Sequence, residues 1–96
     1  MVTMAEEKAK LRVKCRTRRG MSADCEVLDI SIGGVMVEAR GWSVSPGDRV
    51  LLTFPGLSAQ PAELVWLDDG RAGLVFEQPL HETVFDKFAA TIARTG

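Results

Sequence analysis

Ninety-six residues suit one domain and are too few for two with separate cores. An apolar share of 46% is too high for a disordered chain, and no run approaches the ~20 apolar residues of a membrane span. A net charge of −1 points to no partner by bulk electrostatics, and no signal-peptide core is visible, so the expectation is a soluble, cytoplasmic protein without membrane insertion.

Residues 1–7 show no pattern and are expected to form a flexible N-terminal segment ahead of a single domain spanning 8–96. A basic stretch follows: Lys8, Lys10, Arg12, Lys14, Arg16, Arg18 and Arg19, with no acid among them. Two readings of this stretch stand side by side. It marks an anion-binding face, or it is a solvated edge strand whose cations discourage edge-to-edge aggregation.

Residues 11–18, LRVKCRTR, alternate strictly, with Leu11, Val13, Cys15 and Thr17 on one face and the cations on the other. This is the period of a half-buried strand. A turn is predicted at 19–22, and further strands at 23–30, 34–40, 49–54, 62–67 and 71–77. Pro46-Gly47 fits the centre of a type II turn, and Asp69-Gly70 signals a hairpin. After Pro79 the period changes. Leu80, Val84, Phe88 and Ile92 recur every four residues, with Phe85 and Ala89 beside them, which predicts an amphipathic helix of about four turns that includes Pro79 in its first turn and ends near Arg94 to Gly96. Six short strands and one C-terminal helix make the expected fold all-β, a six-stranded antiparallel β-barrel. Trp66 lies in an apolar strand and is expected in the core. Trp42 is expected to be exposed at a barrel rim.

No catalytic constellation is visible, and the chain is read as a non-enzyme. His81 is the only histidine, and at a helix start it reads as a surface or capping residue. Cys15 and Cys25 lack metal-ligand spacing and read as reduced, buried thiols on neighbouring strands. No metal or cofactor is expected. The basic strand carries no aromatic residue and the chain has no tyrosine, so nucleic acid is not an expected partner.

The stretch DISIGG, residues 29–34, interrupts two apolar runs. Asp29 and Ser31 can accept local backbone hydrogen bonds, while Gly33 and Gly34 permit unusual backbone angles and close approach by a planar or bulky group. The bland reading is a strand–turn–strand corner, and the other is a ligand site.

A basic N-terminal stretch, a hairpin, Asp-x-Ser-x-x-Gly and a further strand together resemble the PilZ domain family. SPGDRVLLTFPGL and AELVWLDDGRAGLVFE are similar to that family's later strands, and the resemblance covers about residues 8–90. It implies a six-stranded barrel of split-barrel type with a C-terminal helix. It also implies a bacterial signalling module that binds the second messenger cyclic di-GMP. In such a module Asp29 and Ser31 hydrogen-bond a guanine edge, and Gly34 leaves room for the base; Gly33, beside it, joins the candidate site on its backbone freedom. The family's Arg-x-x-x-Arg grips phosphates and stacks on guanine. Its literal match is Arg12 and Arg16, inside the first strand; the family's usual position, ahead of that strand, gives Lys8 and Arg12. The implied output is ordering of the N-terminal segment and docking to an as yet unidentified bacterial protein partner. The alternative is a PilZ-like adaptor that binds proteins and no nucleotide.

Overall fold

The computed structural model describes residues 11–18 and 20–93. Six strands form a closed antiparallel barrel in the order β1-β2-β3-β6-β5-β4: β1 (Arg12–Thr17), β2 (Ser22–Ile30), β3 (Gly34–Glu38), β4 (Arg49–Thr53), β5 (Gln60–Asp68) and β6 (Arg71–Phe76). One helix, α1 (Glu82–Ala93), follows. The expected flexible segment 1–7, Lys8, Lys10, Arg19 and the expected helix end at 94–96 lie outside the described residues.

Alternation builds the wall. Along β1, Val13, Cys15 and Thr17 are buried while Arg12, Lys14 and Arg16 are exposed. The inward residues of all six strands, among them Val37, Val50, Leu52, Leu64 and Leu74, form one core. Burying about twenty apolar side chains at ~1.5–3 kcal/mol each is the main favourable term in a chain this short. Cys15 and Cys25 are free thiols, buried on the adjoining strands β1 and β2.

Turn chemistry follows the sequence. Gly47 has φ +100° and Asp48 N–H donates to the Ser45 carbonyl, which closes a turn around Pro46-Gly47. Asp69 and Gly70 both have positive φ, at 53° and 75°, between the paired residues Asp68 and Arg71. That is the signature of a two-residue type I′ hairpin.

The two ends of the barrel are closed differently. At the end carrying the 31–34 turn, Phe88 of α1 stacks on Phe54, with ring centroids 5.0 Å apart, and Phe54 meets Phe76 edge-on at 6.1 Å. The helix starts later than the sequence suggests. Pro79 precedes it, and His81 caps it: Thr83 N–H donates to His81 Nδ1 at 3.2 Å, and Phe85 N–H donates to the His81 carbonyl.

Trp42 closes the other end, which corrects the expectation that it is exposed. Gly41 has φ +78° and Trp42 N–H donates to the Ala39 carbonyl, so the chain reverses after β3 and brings the indole into the core. Trp66, expected in the core, is instead 40% exposed. The cause is a bulge in β5. Leu64 pairs with Leu74 and Trp66 with Gly73, so Val65 is an extra residue and Trp66 faces out where strict alternation would turn it in.

β1 is not an edge strand. It pairs with β2 through Arg12–Arg16 and with β4 through Lys14–Thr17. This removes the edge-protection reading of the basic stretch.

Candidate functional site

The turn that carries DISIGG is built by its own polar groups. Ser31 N–H donates to the Gly34 carbonyl at 2.8 Å, and Gly34 N–H donates to Ser31 Oγ at 3.1 Å. Asp29 Oδ1 accepts Ile30 N–H at 2.9 Å. The turn is tied to its surroundings by backbone bonds from Phe76 N–H to the Gly33 carbonyl and from Leu80 N–H to the Ile32 carbonyl.

A second bulge sets the direction of Asp29. Val27 pairs with Val37 and Asp29 with Met36, so Leu28 is the extra residue in β2. Counting from the buried Cys25 and Val27, alternation would send Asp29 inward. The bulge sends it out, exposed, with its second carboxylate oxygen unengaged among the described residues.

Gly34 and Gly33 have different roles. Neither has positive φ, so left-handed backbone is not the reason for either. A Cβ on Gly34 would lie 2.5 Å from the Leu74 carbonyl oxygen, so this glycine lets β6 approach. The room expected there for a ligand is therefore taken by β6. A Cβ on Gly33 would meet nothing within 4 Å, and the open side of the turn is at that residue.

Beside the turn lies a shallow depression of about 330 Å³, lined by Asp29, Ser31, Gly34, Met36, Val65, Trp66 and Val75 among others. Trp66 lies across Gly73, where its indole fills the space a Cβ would occupy. Val65 and Val75 are 44% and 48% exposed and flank it. An acceptor pair, a flat aromatic surface and apolar walls thus share one outer face. Sequence reasoning missed Trp66 here. A signal was present: the Asp69-Gly70 hairpin fixes the register that sets Gly73 opposite Trp66, and a glycine opposite a large residue marks close packing on the sheet surface.

The predicted cations are not all brought to this face. Arg12 pairs with Glu26, three positions along β2 from Asp29, about 10 Å. Arg16 pairs with Ser22, seven positions away and about 20 Å off, next to the β1–β2 hairpin. Lys8 lies outside the described residues.

The profile of the PilZ domain matches residues 5–94. The chain belongs to the PilZ family. A crystal structure of the PilZ domain of CeSA from a cellulose-synthesizing bacterium is similar at TM-score 0.60 and 17% identity, over 91% of this chain and 89% of that one. At that identity the likeness speaks to fold alone. No curated protein matches the chain. PilZ is a family of known cyclic di-GMP receptors, in general binding and signalling modules rather than enzymes. Among the described residues of this PilZ domain, no cluster of His, Cys, Asp or Glu could hold a metal ion, and no helix is long and apolar enough to cross a membrane.

Proposed function

We propose that this PilZ domain binds cyclic di-GMP on the outer face at DISIGG. The observation that carries the reading is the outward turn of Asp29 beside Ser31 and the exposed Trp66, on one depression. A guanine Watson–Crick edge presents N–H donors that suit the Asp29 carboxylate, and a purine face suits an indole. Gly33 leaves the turn open on the ligand side, and Gly34 holds the turn against β6.

The phosphates fall to cations entering and beginning β1. Arg12 supplies the planar guanidinium on the same outer face, and Lys8 supplies charge without bidentate geometry. Arg16 has no part in this reading, because it stands about 20 Å from Asp29 along the sheet, beside the β1–β2 hairpin. Binding is relayed to a partner protein through the segment ahead of β1.

Calorimetry with cyclic di-GMP at micromolar protein in low salt tests the reading. Measurable heat that disappears in Asp29→Ala supports it, and absence of heat overturns it. Replacement of the first arginine by Lys8 favours a second reading, a protein-binding adaptor without nucleotide. Retention of a defined partner by the Asp29→Ala, Arg12→Ala variant would support that one.

A further inference from the structure

The cations of β1 have no task within the described structure. Arg12, Lys14, Arg16 and Arg18 are exposed and stand at every second residue, about 7 Å apart. The strand is paired on both sides in a closed barrel, so they guard no edge. Among the described residues the ion pairs are Arg40–Glu38 and Arg49–Glu77, and none of the four takes part.

Their neighbours divide the stripe in two. Arg12 and Lys14 stand opposite Glu26 and Asp24 on β2, which offset their field. Arg16 stands opposite Ser22 on β2 and Leu51 on β4. Arg18 lines a depression of about 410 Å³ with Thr17, Arg49 and Asp48, whose carboxylate accepts the Ser45 N–H. Asp48 offsets part of the field at Arg18 without an ion pair to it, and Arg16 faces no acid across either ladder, so among the described residues the least compensated positive charge of the stripe lies at Arg16 and Arg18. Beside it, Leu51 is 37% exposed on the outer face, a leucine bordered by guanidinium groups.

We propose that Arg16, Arg18 and Leu51 form a docking surface for an acidic protein segment that carries an apolar side chain between its carboxylates. Charge complementarity selects the carboxylates, since arginine forks bind them in bidentate fashion. Leu51 selects a protein over a polyphosphate, because a leucine offers nothing to a phosphate chain, and no exposed aromatic stands beside it on β1 or β4 for a base to stack on. A lipid surface would gain only one apolar side chain from a convex barrel wall. Both ladders of β1 are filled, so the partner docks by side chains and not by adding a strand. This surface lies at the Trp42 end of the barrel, away from DISIGG, and does not depend on nucleotide binding.

The test uses fluorescence anisotropy in low salt with a labelled peptide whose glutamates flank one leucine. Comparators are its glutamine analogue, oligothymidylate and phosphatidylglycerol vesicles. The glutamate peptide is expected to bind at least about tenfold more tightly than the glutamine analogue. The Arg16→Glu, Arg18→Glu variant is expected to lose at least about tenfold in affinity, Leu51→Ser to lose a smaller factor, and Asp29→Ala to lose none. These arginines are exposed, and circular dichroism of the variant checks that the fold persists. No binding of the peptide, unchanged binding in the double variant, or tighter binding of oligothymidylate or vesicles through the same arginines overturns the proposal.

Discussion

Asp29 and Trp66 occupy the two ends of one cross-strand row, Asp29–Met36–Gly73–Trp66, which runs over β2, β3, β6 and β5. Each reaches the outer face by a one-residue bulge, at Leu28 and at Val65. The row spans three strand spacings, about 14 Å between backbones. Gly73 lets the indole lie flat toward Met36 and shortens the open distance. A ligand that reads Asp29 with a polar edge can rest its face on Trp66.

Trp66→Ala tests that geometry. Base–aromatic stacking is worth about 1–3 kcal/mol, so cyclic di-GMP affinity is expected to fall by roughly tenfold or more. Stability should change little, because the indole is 40% exposed and packs on a glycine. A matching readout is quenching of Trp66 emission on ligand addition in a Trp42→Phe background. Unchanged affinity with unchanged emission would remove Trp66 from the site.

The two glycines of DISIGG should separate cleanly. Gly34→Ala forces a Cβ to 2.5 Å from the Leu74 carbonyl oxygen, a rigid backbone atom, and is expected to cost about 1–3 kcal/mol in urea denaturation. Gly33→Ala meets open space and should stay within about 0.5 kcal/mol of the parent. Because that variant keeps its fold, any loss of nucleotide affinity in it reports contact between ligand and turn.

The sequence displays periodicity, and periodicity is what it conveyed well. The six strands appear within about two residues of their predicted ends, and the turns at Pro46-Gly47 and Asp69-Gly70 carry their chemistry in their residue types. The bulges were not legible, because an extra residue such as Leu28 or Val65 is an ordinary strand former and announces nothing. One such residue inverts the face of the residues after it, which is why Trp66 lies on the outer face; Trp42 turned inward for another reason, the left-handed Gly41 that reverses the chain after β3. The motif residues Asp29 and Ser31 could be picked out by type and spacing. That Asp29 faces solvent, and that Gly34 answers to β6, depended on pairings between strands far apart in sequence.

Cys15 gives a pH dependence. Its thiol is pushed well above the ordinary cysteine range by its hydrogen bond to Cys25 and by burial, whereas Cys25 is lowered chiefly by the bond it receives from Cys15. The native state thus keeps the Cys15 proton where the unfolded chain, with a pKa of about 8.5, releases it. A raised folded pKa means that stability is intact below that value and is lost as pH rises above it. Urea midpoints should therefore fall between pH 7.5 and pH 10, roughly chosen to bracket the free thiol. Cys15→Ala should flatten that fall while lowering stability at every pH. Cys25 acts in the opposite direction, so a parent midpoint that does not move while Cys15→Ala gains stability with pH would still assign the loss to Cys15; identical pH slopes in the two proteins would not.

Arg12 and Arg16 share a strand and a face but not, on the present reading, a ligand. Arg12 is three positions from Asp29 along the sheet, and Arg16 is seven. Both are exposed and neither forms an ion pair within 4 Å among the described residues, so replacing either with alanine leaves the barrel intact. Loss of a charge-assisted hydrogen bond to phosphate costs about 1.5–3 kcal/mol, and Arg12→Ala is expected to weaken cyclic di-GMP binding by at least tenfold on that basis. Arg16→Ala is expected to leave it within about twofold, since screening over roughly 20 Å removes most of its long-range attraction. Calorimetry on both variants decides between two arrangements. Equal losses would mean that the literal arginine pair inside β1 grips the ligand and that the DISIGG face is not where its phosphates lie. A loss confined to Arg12 places the phosphates at the entry to β1 and leaves Arg16 free to hold a protein.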